Sequence, residues 1–253
     1  MIQAILFDLD GTLIQSEKLK AQSYAIAVQR LRGLSEPDPR AIEAYRTIVG
    51  ASREAASRFV MHELGLEQLL RPLMPQYSAS EPSRVLTQMR TTIYDEMVAD
   101  PQVLRDNQWP HTVGLLRLAK GSGCRTALVT NSERTAVFHV LHALDLESSL
   151  DMVLTSEDVR KPKPDPEIYL LAAKRFGLSP EECLVVEDSA NGVRAAVAAG
   201  TNVIAFATPF TGEALHESGV LDHKWILHES DQLLDMVHRL IREHEQRVHG
   251  GKE

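Results

Sequence analysis

Cysteine is scarce in this 253-residue chain, which has two. Each of them, Cys124 and Cys183, opens an apolar run (CRTALV and CLVV), the setting of a small buried hydrophobe, with no disulfide framework or thiolate metal site. Such usage fits a reducing compartment. Positive charge is also short: 27 Lys and Arg stand against 35 Asp and Glu, a net charge of -8. A surface of that sign repels a phosphate backbone and argues against nucleic acid as a partner. No apolar run approaches a membrane span. The apolar start of the chain is interrupted by Asp8 and Asp10, and no positively charged segment precedes it as a signal peptide would require. The expectation is a cytoplasmic protein without membrane contact. Internal repeats are absent, and the Pro/Ser stretch at 71–83 is too short to link independent domains.

What is present is an ordinary globular composition, 43% hydrophobic and 25% charged, long enough for one large core or a core with a smaller companion. Short Val/Ile/Leu-rich runs alternate with helical patterns, the signature of a parallel sheet wound with helices. The runs lie at 2–8, 124–129, 151–154, 183–186, 202–206 and 224–227. Helices are expected near 112–120, 133–143, 165–176 and 190–199, the last two closed by Gly177 and Gly200. Between about Ser16 and Asp100 no strand signal appears. Helical patterns at 16–32, 40–48, 52–64 and 83–99 suggest a separate helical cap domain (16–100) inserted into an α/β core domain (1–15 and 101–253).

The first run ends in FDLDGT, two carboxylates followed at once by a glycine. Burying two unpaired carboxylates side by side is expensive, so something must neutralise them. In an open parallel sheet, ligands bind outside the carboxyl ends of the strands, and a polar residue just after each run points into one crevice. Asp8 and Asp10, Thr130 and Asn131 (LVTNS), Lys161 (VRKPKPDP), and Glu187 and Asp188 (VVEDS) gather there. Hard oxygen ligands carrying several negative charges suit magnesium. The bland alternatives are turn capping for the aspartates, an N-cap at Ser132 for the helix after the second strand, and a solvated loop for Lys161, which has a rival in Lys163. The fragment GSGCRT is no dinucleotide loop, because it precedes a strand and lacks the third glycine.

In order, FDLDGT, VTNS, KPKPDPEIY and VVEDSANG resemble the four motifs of the haloacid dehalogenase superfamily, and the helical insertion resembles the cap of its phosphoglycolate phosphatase and beta-phosphoglucomutase branch. The resemblance implies a doubly wound, Rossmann-like parallel sheet and an enzyme that forms an aspartyl phosphate. It makes Asp8 the nucleophile, Asp10 the general acid and base, and Thr130 a hydrogen-bond donor to the phosphoryl group, with Asn131 beside the substrate. The family's KPxPD register selects Lys161 as the neutralising cation. Magnesium would be held by Asp8, the backbone of Asp10, and Asp188, with Glu187 a ligand directly or through water, or a structural carboxylate behind the ligands.

The same branch carries a phosphate-gripping arginine where this chain has Ser52 and Arg53, and a basic residue where it has Arg90. Solvated helix charges are the alternative for both. Lys20 replaces a histidine that assists control of Asp10, Glu133 replaces a lysine, and His111 a glycine. The implied function is a magnesium-dependent phosphatase acting on a small phosphomonoester such as a sugar phosphate. The alternatives are a sugar phosphomutase and a non-catalytic binding protein, with a dehalogenase weaker because it has no use for Asp10 or a metal. The expected partner is a small phosphorylated metabolite, and the expected state is a monomer or weak homo-oligomer.

Overall fold

The structure, a computed structural model, describes residues 1–250. After β1 (Ala4–Phe7) come six helices, α1 (Ser16–Arg32), α2 (Pro39–Arg46), α3 (Arg53–Glu63), α4 (Glu67–Leu70), α5 (Pro82–Val98) and α6 (Pro101–Asp106). The chain continues through α7 (Pro110–Gly121), β2 (Arg125–Val129), α8 (Arg134–Leu144), β3 (Met152–Leu154), α9 (Glu167–Phe176) and β4 (Cys183–Glu187). It closes with α10 (Ala190–Ala198), β5 (Asn202–Phe206), α11 (Gly212–Glu217), β6 (Ile226–Leu227) and α12 (Leu233–Gly250). Backbone contacts divide it into two compact units, one of Met1–Gln15 with the chain from Leu104 onward, the other of Ser16–Val103.

In the first unit the strands form one parallel sheet in the order β3-β2-β1-β4-β5-β6. Helices cover both faces, so the central strands are apolar along their length instead of alternating. All four residues of β1 and all five of β4 are buried. On one face Ala4, Leu6, Val129 and Val185 pack with Ile168 and Tyr169 of α9 and Val193 of α10. The next strand in sequence after β1 lies on one side of it, and β4 lies on the other. The strand order therefore reverses between β1 and β4, which opens a crevice at their carboxyl ends.

The second unit is helical throughout. Asp38 caps α2 by accepting the Arg40 N–H at 3.1 Å, and Pro39 and Pro82 sit in the first turns of α2 and α5, where a missing N–H does no harm. The Tyr24 ring of α1 lies 5.1 Å from that of Tyr45 on α2, and its hydroxyl is 2.9 Å from Ser57 of α3.

Element ends differ from the sequence reading by a few residues. The run at 224–227 shrinks to Ile226–Leu227, because Asp222 caps a tight 3-10 turn over His223–Trp225. Gly177 ends α9 in the left-handed conformation, with φ of 68°. Four helices, α4, α6, α11 and α12, have no counterpart in the sequence reading. Among the described residues no helix is long and apolar enough to cross a membrane.

Candidate active site

Charge fills the crevice between β1 and β4. Phe7 lies opposite Leu128 and Val186, and Asp8 extends the ladder by one bond, its N–H donating to the Val186 carbonyl at 3.0 Å. Asp8 thereby comes level with Glu187. Carboxylate oxygens of Asp8, Glu187 and Asp188 lie within 4.8 Å of one another, and all three residues are buried. The chain turns directly after Asp10, with the Gly11 N–H donating to the Ile14 carbonyl at 2.7 Å. At Gly11, with φ of +81°, a Cβ would overlap the Asp188 carboxylate, and one at Gly192 would overlap that of Glu187. These two glycines let backbone and carboxylate approach more closely than any side chain permits.

The neutralising cation is Lys163, which corrects the choice of Lys161. Its ammonium donates to Asp8 Oδ1 at 2.7 Å, to Glu187 Oε1 at 2.8 Å and to the Val129 carbonyl at 2.8 Å, which uses all three protons. The Lys161 side chain is 73% exposed and pairs with Asp165 at 3.6 Å. Two overlapping registers occur in RKPKPDPE, KPKPD starting at Lys161 and KPDPE starting at Lys163, so proline spacing alone cannot choose between them. Asn131 selects the second. Its Oδ1 accepts the Lys163 N–H at 3.0 Å and its Nδ2 donates to the Lys163 carbonyl at 3.2 Å, pinning that backbone to the end of β2. The Asn131 amide, expected beside the substrate, is occupied with the lysine backbone.

Glu187, expected among the metal ligands, is engaged by five donors. Oε1 accepts from Lys163 and from the Tyr169 hydroxyl at 3.1 Å, and Oε2 from the N–H groups of Asp188 and Ser189 and the Ser189 hydroxyl at 2.9–3.0 Å. It holds the lysine, and Asp8 and Asp188 remain as the carboxylates suited to a cation. Burial alone would raise the Glu187 carboxyl, but Lys163 and the backbone N–H groups hold it below its ordinary value. At Asp8 burial prevails over Lys163, and with Glu187 and Asp10 adding repulsion its pKa is pushed up to about 8. Burial disfavours the Lys163 charge, yet Asp8 and Glu187 drive its pKa well above the ordinary lysine value.

Thr130 is buried, and its Oγ1 accepts the Ser132 N–H at 3.1 Å. Ser132 does not cap the following helix: α8 starts at Arg134 behind Glu133, and the Ser132 hydroxyl donates to Asp10 Oδ2. In the helical unit Lys20 pairs with Glu17 at 2.6 Å, and Ser52 caps α3 by accepting the Ala55 N–H at 3.2 Å, with Arg53 exposed in the first turn. Arg90 is no solvated charge. It is 5% exposed, with its guanidinium 5.5 Å from the Tyr24 ring and 6.0 Å from the Tyr94 ring.

A divalent cation fits this donor set. Lys163 supplies one buried positive charge against the three buried carboxylates of Asp8, Glu187 and Asp188, and the excess is carried on hard oxygens. The Asp8 and Asp188 side chains and the Asp10 carbonyl would hold the ion, which would supply charge against phosphoryl oxygens. Because the Asp8 pKa is raised in the fold, its ionisation destabilises the protein progressively as pH climbs from about 4 toward about 8. Magnesium at about a hundred times its Kd should therefore raise the thermal midpoint by about 5–10 °C near pH 8. Near pH 5.5 the gain should be much smaller, since a proton competes for Asp8. Scanning fluorimetry at both pH values checks this, and equal gains would contradict it.

The class that fold and site define is an α/β protein with a parallel sheet that carries a buried cluster of carboxylates and one lysine at its reversal point. The family model of haloacid dehalogenase-like hydrolases matches residues 2–200, and the chain belongs to that family. It is 31% identical over 208 residues to a phosphoglycolate phosphatase of Salmonella typhi, covering 79% of each chain. It is 28% identical to a phosphorylated carbohydrates phosphatase of Thermotoga maritima, over 87% of this chain and 93% of the relative. The crystal structure of a putative beta-phosphoglucomutase from Thermotoga maritima shares the fold, with a TM-score of 0.68 and 24% identity over 94% of this chain and 99% of the other.

Proposed function

We propose that the protein is a magnesium-dependent phosphatase that hydrolyses a small phosphomonoester through an aspartyl phosphate on Asp8. The observation that carries this reading is the buried Asp8–Lys163–Glu187 arrangement, which fixes one carboxylate oxygen of Asp8 beside a permanent positive charge. Asp8 attacks phosphorus as the ester P–O bond breaks, and Asp10 protonates the departing oxygen. Asp10 then takes a proton from water, the water oxygen bonds to phosphorus, and the Asp8–phosphorus bond breaks to release phosphate. Thr130 hydrogen-bonds the phosphoryl oxygens and Lys163 balances their charge, and Ser132 is in place to orient Asp10.

The helical unit is read as a cap that selects the substrate. Exposed Arg53 suits a distal anionic group, whereas Arg90, wrapped by Tyr24 and Tyr94, serves that unit's interior. The names of the phosphatase relatives support a sugar phosphate or another small phosphorylated metabolite as substrate. We read the enzyme as cytoplasmic and as a monomer or weak homo-oligomer.

A mutase would share the aspartyl phosphate but would need to keep Asp10 from activating water until a sugar phosphate closes the cap. Lys20, a charged group on a flexible stem already paired with Glu17, replaces the histidine of that branch. Given beta-glucose 1-phosphate, a trace of glucose 1,6-bisphosphate and magnesium, the enzyme should release inorganic phosphate faster than it forms glucose 6-phosphate. Accumulation of glucose 6-phosphate with little free phosphate would establish the mutase instead. A panel of phosphorylated metabolites, each run with magnesium and with chelator, then ranks the substrates.

A further inference from the structure

We infer that Thr211 and Thr208, on the loop between β5 and α11, are positioning residues that set the Asp188 carboxylate for its cation. The inference rests on the reading of Asp8 and Asp188 as metal-holding carboxylates. The loop carries none of the four motifs. Thr211 Oγ1 lies 3.1 Å from Asp188 Oδ2 and 2.7 Å from Thr208 Oγ1, and both threonines are buried.

Counting protons fixes the direction of each bond. An ionised Asp188 can only accept, so Thr211 gives it the hydroxyl proton and must itself accept from Thr208. The Thr208 oxygen is then left to accept the N–H groups of Phe210 at 3.2 Å and Thr211 at 3.1 Å, as it does. The hydroxyl protons of both threonines therefore point along one chain toward Asp188, and each bond polarises the next.

Two further observations give the chain a purpose. Thr211 occupies the N-cap position of α11, yet its side chain makes no capping bond there, because the hydroxyl is directed at Asp188. On the other carboxylate oxygen, the Thr12 hydroxyl donates to Oδ1 at 3.3 Å. Asp188 is thus held from two sides, by the turn after β1 and by the loop after β5. That loop is itself anchored, with the Ala207 N–H donating to the Leu227 carbonyl at 2.8 Å and the Gly212 N–H to the Thr208 carbonyl at 2.9 Å. Groups that orient a ligand from behind commonly change affinity for the ion by about 10- to 100-fold.

The test is calorimetric titration of the whole chain with magnesium, without substrate, alongside thermal midpoints in chelator. Thr211→Val should raise the magnesium Kd about 10-fold with an unchanged midpoint in chelator, and Thr211→Ser, which restores the hydroxyl, should bind like the wild type. Thr208→Val removes the donor to Thr211, together with the acceptor of the Phe210 and Thr211 N–H groups, and should raise Kd about threefold. It decides the matter if Thr211→Val does not fold. A wild-type Kd in Thr211→Val, or in Thr208→Val where that variant decides, overturns the inference, as does equal weakening of Thr211→Val and Thr211→Ser. A wild-type protein that binds no magnesium overturns the metal reading and this inference with it.

Discussion

Asp8→Asn will lower phosphate release by about four orders of magnitude or more, as loss of a covalent nucleophile does elsewhere, while the protein stays folded. The amide keeps the size of the carboxylate but cannot form a phosphoester intermediate, and it removes one carboxylate from the cation's holders. The same change should raise the thermal midpoint in chelator near pH 8, because the wild-type carboxylate pays a burial penalty there that leaves its pKa at about 8. Near pH 5.5, where Asp8 is already protonated, the two proteins should melt alike. Steady-state phosphate release and scanning fluorimetry read both effects, and activity near the wild-type level would end the covalent mechanism.

The second large effect concerns the lysine. Lys163→Ala leaves Asp8 and Glu187 buried without their shared cation, and breaking a buried ion pair by removing one partner costs about 3–5 kcal/mol. For a chain of this size that corresponds to a thermal midpoint lower by about 10 °C, together with loss of turnover. Lys161→Ala should leave both within about the error of measurement, because exposed pairs such as Lys161–Asp165 contribute little. The reverse pattern would return the catalytic lysine to the earlier register.

The contrast between the two lysines shows where the sequence was readable. The strands were legible because a sheet covered on both faces demands unbroken apolar runs, and each polar run-end then marks the crevice. FDLDGT and VVEDS accordingly point to Asp8, Glu187 and Asp188, which the structure gathers. The lysine was not legible, because Lys161 and Lys163 both precede proline in overlapping copies of one pattern and only burial separates them. Ser132 could serve equally as a helix cap or as a partner of Asp10. Tyr169 reads as one more apolar position of α9, although its hydroxyl reaches Glu187. Thr211 has no sequence neighbour that hints at chemistry, since its partner Asp188 lies 23 residues away. Roles that depend on hydrogen-bond counting, such as that of Glu187, appear only once the donors are in place.

In the proposed reaction, phosphate passes through a covalent bond to Asp8. A single-turnover reaction with a radiolabelled phosphomonoester and magnesium, quenched in acid and then reduced with borotritide, tests it most directly. A covalent route requires protein-bound label that rises and decays as phosphate is released, with reduction converting position 8 to tritiated homoserine. Release of phosphate with no labelled protein at any time point, or tritium at a different position, would contradict it.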